Sequence, residues 1–135
     1  MTRLAAMCVI LIATLAIVPA FGLDAPKVPA SAKRLTGAEI VALYDGNTYA
    51  FQTFGKNGVT GVNSYDFKKG VNPGTYVTSN GTKGTFTATI RIKGDQFCYK
   101  VGSDKETCIA VYLDGATVYS TDAKGLVTAV AHKQQ

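Results

Sequence analysis

Residues 84–101 read GTFTATIRIKGDQFCYKV, and this stretch decides the fold. A two-residue turn at Gly94-Asp95 would oppose Ile92 to Phe97, Ile90 to Tyr99 and Ala88 to Val101. The threonines and Arg91 between those positions then take the other side. Because side chains alternate across a strand, the stretch predicts an antiparallel hairpin with one buried and one polar face.

The neighbouring segments extend this hairpin on the same buried face. Opposing Cys98 to Cys108 also opposes Phe97 to Ile109, and a turn at Asp114-Gly115 opposes Val111 to Val118. Asn80-Gly81 and Asp114-Gly115 are typical of two-residue hairpin turns. The resulting expectation is eight strands, at about 48–54, 59–67, 74–79, 84–92, 96–101, 107–113, 116–121 and 126–132.

A short helix is predicted ahead of the strands, over about 37–45. Thr36 and Glu39 have capping-box spacing, and Leu35 and Ile40 have the spacing of a hydrophobic staple. Gly46 suits the left-handed stop position. We therefore expect a mainly β domain: one short helix, then an antiparallel meander of about eight strands forming a small barrel or a rolled sandwich. The helix would plug one end or lie across the sheet.

The N-terminal segment has the pattern of a secretory signal. Arg3 precedes an apolar run from Leu4 to Ala20, and small residues at Ala20 and Gly22 predict cleavage before Leu23, with a second candidate site after Ala20. The run is marginal for the roughly 20 apolar residues that span a bilayer. We expect a signal peptide at 1–22, a flexible Pro- and Ala-rich arm at 23–34 and a barrel-like domain at 35–135, without a stable membrane span after cleavage.

Composition and cysteine count point to a compartment rather than to an activity. The net charge of +5 is spread along the chain, which does not favour nucleic-acid binding. Cleavage would leave Cys98 and Cys108, and an even count in a small exported domain predicts a disulfide, with two free thiols as the alternative. The expected location is periplasmic or secreted.

The chain resembles a family of small exported proteobacterial proteins of unknown function. The resemblance lies in a helix of the form L-T-x-x-E-I-x-x-L at 35–43 followed by Gly46-Asn47-Thr48, a Gly-Thr-Phe strand at 84–86, and the late cysteine pair. It implies a β-rich fold in a bacterial envelope or secreted setting, and no activity.

No catalytic or metal-binding constellation stands out in the sequence. His132 is the only histidine and has no evident partner for general-base chemistry, and one histidine with two paired cysteines does not make a zinc set. We therefore expect no enzyme activity, no cofactor and no metal.

Two surfaces could bind a small apolar ligand or an unknown protein. On the inner side, the small residues Ala116, Ser120, Ala129 and Ala131 either make room for the helix or leave an apolar cavity. On the outer side we name a tyrosine face, consisting of Ala110, Tyr112, Tyr119, Leu126 and Val130. We expect an exported binding or envelope-associated module; the alternative is a protease-inhibitor-like barrel that acts through its arm. Oligomeric state stays open.

Overall fold

The structure is a computed structural model, and it describes residues 24–135. The signal-peptide prediction for residues 1–22 lies outside the described residues. The elements are β1 (Lys33–Arg34), α1 (Gly37–Tyr44), β2 (Thr48–Thr53), β3 (Val59–Ser64), β4 (Val71–Thr78), β5 (Lys83–Lys93), β6 (Gln96–Val101), β7 (Thr107–Asp114), β8 (Thr117–Thr121) and β9 (Val127–Lys133).

The strands β2 to β9 form a closed antiparallel barrel. Each strand pairs with the next in chain order, and β9 returns to pair with β2. The predicted mainly β meander is therefore confirmed, and it closes as a barrel rather than as a rolled sandwich. Closure leaves none of these eight strands at an edge of the sheet. A small domain can therefore hold eight strands in one sheet without exposing unpaired backbone groups.

The hairpin that decided the fold has the predicted register. Ile92 lies opposite Phe97 and Ile90 opposite Tyr99. Cys98 lies opposite Cys108 and the two form the predicted disulfide, with 4.0 Å between their Cα atoms. The bond joins β6 to β7 on the outside of the barrel, and it indicates an oxidising, exported location.

The predicted pairing of Val111 with Val118 is wrong. Val111 lies opposite Ser120, because Asp114 is still paired, with Thr117, and the turn falls at Gly115-Ala116. The shift of two residues leaves every side chain on its predicted face. It does move Ala116 out of the barrel wall into an exposed turn, so Ala116 is not one of the small inner residues.

The predicted two-residue turn at Asn80-Gly81 is also wrong. The Thr78 N–H donates to the Thr82 carbonyl oxygen at 2.9 Å, so the loop between these two residues has three residues. Gly81 takes the left-handed φ of 85° that such loops require.

The helix α1 closes one end of the barrel. Its capping box is present: Thr36 Oγ1 accepts from the Glu39 N–H at 3.3 Å and Glu39 Oε2 accepts from the Thr36 N–H at 2.9 Å. Gly37 packs so closely on the β5–β6 turn that an added Cβ would lie 2.4 Å from the Gly94 carbonyl oxygen. Ile40 and Tyr44 are buried in the core, so the helix plugs the end, one of the two arrangements left open above.

The arm is tied to the barrel at its C-terminal half. Ala32 N–H donates to the Pro29 carbonyl at 3.0 Å, and Ser31 Oγ donates to Asp114 Oδ1 at 3.1 Å. Lys33 and Arg34 form β1, which pairs with the part of β7 that extends past the first residue of β6. This pairing had no signal in the sequence, whereas the flexibility of the arm stays a prediction.

Candidate functional site: the barrel interior

A cavity of about 490 Å³ occupies the interior of the barrel. It extends from Tyr44 and Tyr65, beside the helix, to Phe54, Val101 and Thr128 at the opposite ends of the strands. Val101 is 36% exposed, so that opposite end is the one that meets solvent. Cavities of this size are typical of sites for small molecules.

Aromatic rings rest on glycine backbone along one side of the cavity. Phe51 on β2 lies opposite Gly61 on β3, and Phe86 on β5 lies opposite Gly74 on β4. An added Cβ on Gly61 or Gly74 would lie 2.6 Å from the facing ring, so each ring rests directly on a glycine backbone. Rings held against the wall leave the centre of the barrel unfilled.

Small residues widen the other side of the cavity. Ser120 on β8 and Ala129 and Ala131 on β9 line it, as the cavity interpretation predicted. Tyr44 lies at the base of the cavity, so the helix accounts for the closed end and not for the whole space. The two interpretations of the small inner residues, room for the helix and an apolar cavity, thus each describe part of the interior.

Polar side chains are gathered at the closed end. Asn63 Nδ2 donates to Tyr65 Oη at 3.2 Å and to Asn72 Oδ1 at 3.3 Å. The Tyr44 ring stacks on Tyr65 with 4.2 Å between ring centroids. Asn63 and Asn72 are both buried, so the closed end is a desolvated polar cluster.

The tyrosines of this cluster stay protonated over the whole physiological range. Burial raises the pKa of Tyr65 to about 12, and it raises the pKa of Tyr44 well above its ordinary value. Burial also raises the pKa of Tyr99, farther along the cavity. None of the described residues that line the cavity is acidic or basic, so its wall is electrically neutral.

The tyrosine face lies on the outside of the barrel, on β7, β8 and β9. Tyr112 pairs with Tyr119, and Tyr119 pairs with Val130, so these three are direct neighbours. Leu126 is 62% exposed in the β8–β9 loop, whereas Ala110 is only 8% exposed and offers little surface. The role of the face in binding stays a prediction.

The remaining reactive side chains do not converge. His132 is exposed on β9, opposite Ala50 and Thr117. Within residues 24–135, the one group of three side chains with metal-ligand spacing is Cys98, Glu106 and Cys108, and both of its sulfurs are committed to the disulfide. In this same part of the chain, no helix has the length and apolar character to cross a membrane.

Sequence reasoning missed the polar cluster at the closed end. Asn63 lies on the same side of β3 as Val59 and Gly61. Assigning that side of the strand to the interior would have placed Asn63 inside the barrel. The glycine-rich region from 55 to 74 hid this assignment, because glycine carries no face preference.

Comparisons with protein-family models, with curated proteins and with solved structures found no significant match to this chain. The resemblance to exported proteobacterial proteins therefore stays a prediction.

Proposed function

We propose that this protein is a binding module of the periplasm or the secreted fraction, and that its barrel interior takes up a small, mainly apolar molecule. The observation that carries the proposal is the cavity of about 490 Å³, walled by aromatic and small side chains. Filling such a space with apolar surface is favourable by roughly 25 cal/mol for each Å² removed from water. The disulfide supports the exported setting.

The geometry favours the interior over the tyrosine face. The inner aromatic rings are kept against the wall by facing glycines, an arrangement that leaves space which a packed core would fill. On the tyrosine face, Tyr112 and Tyr119 are half-buried and Ala110 is only 8% exposed, so little of their surface is open to a ligand.

A titration with the neutral dye N-phenyl-1-naphthylamine tests the proposal. The native protein should show a saturable rise in fluorescence at one site per chain. Ala129→Phe places a ring in the cavity and should weaken binding at least tenfold. Val130→Phe, the adjacent position on the outer side, is the matched control and should retain native affinity.

Two results would overturn the proposal. One is native dye affinity in Ala129→Phe with its melting temperature preserved, and the other is loss of binding in Val130→Phe alone, which would move the site to the tyrosine face. If Ala129→Phe does not fold, Thr128→Phe at the open end replaces it, because Thr128 also lines the cavity.

The alternative, an inhibitor that acts through its arm, remains a separate prediction. Since Ser31, Lys33 and Arg34 are bonded to the barrel, the part of the described arm ahead of these contacts is 24–30. Within that part, residues 24–28 line a cleft together with Phe54 and Leu126, near the open end of the cavity.

A further inference from the structure

The wall of the cavity selects against charged ligands. A carboxylate or an ammonium group that entered it would lose its hydration, and none of the described lining residues could offer an opposite charge in return. Burying an ion without a counter-charge is far more costly than burying a neutral polar group. A ligand that is fully enclosed here must therefore be uncharged.

One buried acceptor at the closed end has no donor. Among residues 24–135, Asn63 Oδ1 is the one buried side-chain N or O atom without a hydrogen-bond partner. Asn63 is 8% exposed and lines the cavity. Native proteins leave few such groups unpaired, and each one has a physical reason.

The neighbouring amide determines which end of the Asn63 side chain is free. Asn72 Nδ2 donates to the Ser64 carbonyl at 2.6 Å, so Asn72 Oδ1 must be the atom that faces Asn63. A flipped Asn63 amide would set two acceptor oxygens against each other. The unpaired atom is therefore the carbonyl oxygen and calls for a donor.

A ligand reaches this oxygen only when the Asn63 amide turns toward the cavity. Less than 1 Å² of the oxygen is accessible, so it cannot accept a bond from a ligand in its present position. This turn would lengthen the two bonds that hold the amide, from Asn63 Nδ2 to Tyr65 Oη at 3.2 Å and to Asn72 Oδ1 at 3.3 Å.

We propose that the ligand of the barrel interior is an uncharged molecule with an apolar body and one hydrogen-bond-donating end, a hydroxyl or an amide N–H, and that Asn63 Oδ1 accepts this bond at the closed end. This inference rests on the interior binding proposed above. The donating end enters first and the apolar body lies along the aromatic wall toward the open end.

The test compares three chains of similar size as competitors of N-phenyl-1-naphthylamine: 1-decanol, methyl nonyl ether and decanoate at pH 8. The ether accepts hydrogen bonds but cannot donate one, so it should bind roughly tenfold more weakly than decanol. Decanoate should also bind at least tenfold more weakly. In Asn63→Leu the difference between decanol and the ether should fall below twofold.

Thr87→Val is the control, because it removes an exposed hydroxyl on β5 that does not line the cavity and should leave the preference for decanol unchanged. Equal affinities for decanol and the ether in the native protein would overturn the inference, as would decanoate binding as tightly as decanol. So would dye binding that decanol does not displace. Absence of dye binding would instead refute the proposed function itself.

The assignment of Asn63 as the acceptor of the ligand's hydrogen bond is tested separately. A preference for decanol that persists in Asn63→Leu would place the acceptor elsewhere and refute it. If that variant does not fold, NMR of the native side-chain amides decides: the Asn63 resonances should shift with decanol and not with the ether, and no shift with decanol refutes the assignment.

Discussion

Replacing Tyr65 by Phe should reverse the order of stability between variant and native protein as the pH rises. Tyr65 is buried at the closed end, where burial raises its pKa from 10.0 to about 12. Below pH 10 the hydroxyl is neutral in both the folded and the unfolded chain, so it contributes no pH dependence there. Above pH 10 the unfolded chain loses this proton first, and the free energy of unfolding falls.

The magnitude follows from the two pKa values. Each pKa unit corresponds to about 1.4 kcal/mol, so the native protein should lose about 1 kcal/mol through Tyr65 by pH 11 and about 2 kcal/mol by pH 12. Tyr65→Phe lacks this loss. At pH 7 the variant gives up the bond that the Tyr65 hydroxyl accepts from Asn63 Nδ2, which costs about 1 kcal/mol.

The two effects should cancel near pH 11, with the variant more stable above that pH. Urea denaturation of both proteins at pH 8, 10, 11 and 11.5 measures this, and the difference between them removes the contributions of lysines that titrate in both. A difference that stays constant from pH 8 to 11.5 would refute the reasoning, because Tyr65 would then ionise alike in the folded and unfolded chains.

Two further predictions concern the barrel wall. Replacing Cys98 and Cys108 together by Ala should lower the free energy of unfolding by about 3 kcal/mol, the chain-entropy value for a loop of this length. Dye binding should be retained at low temperature, and reduction of the native protein should have the same effect on stability. An unchanged melting temperature would contradict this prediction. Gly74→Ala should cost about 1–3 kcal/mol, because the new Cβ would lie 2.6 Å from the Phe86 ring and 2.7 Å from the Val62 carbonyl oxygen. Thr75→Ala, the exposed neighbour on β4, should stay within about 0.5 kcal/mol of native in the same denaturation assay, and equal losses in the two variants would count against the close approach.

The parts of the fold that local chemistry determines could be predicted from the sequence. The helix followed from Thr36 and Glu39, and the hairpin from Ile90 to Tyr99 followed from alternation around Gly94-Asp95. The two wrong turns have one cause: Asn80-Gly81 and Asp114-Gly115 identify where a chain reverses, but the number of loop residues depends on which flanking residues complete the ladder.

The site was less predictable because it depends on contacts between distant segments. The arm's β1 joins β7 across about eighty residues of chain, and the pairing of β9 with β2 that closes the barrel is equally non-local. Small residues at Ser120, Ala129 and Ala131 predicted a gap but not its extent. The extent depends on Gly61 and Gly74, whose role is visible only once Phe51 and Phe86 are seen to rest on them.

The closed end of the barrel and the cavity differ in how side chains of the same wall pack. Near the helix, Ile40, Tyr44 and Phe97 interdigitate, and burial of their apolar surface stabilises the domain. Farther along, the chain sets rings on glycines and faces them with Ala129 and Ala131, although larger aliphatic residues there would bury more surface. A barrel that needed only stability would extend the first arrangement through its length. The retained space, with an unpaired acceptor at its base, supports the proposal that the interior is a site for a ligand.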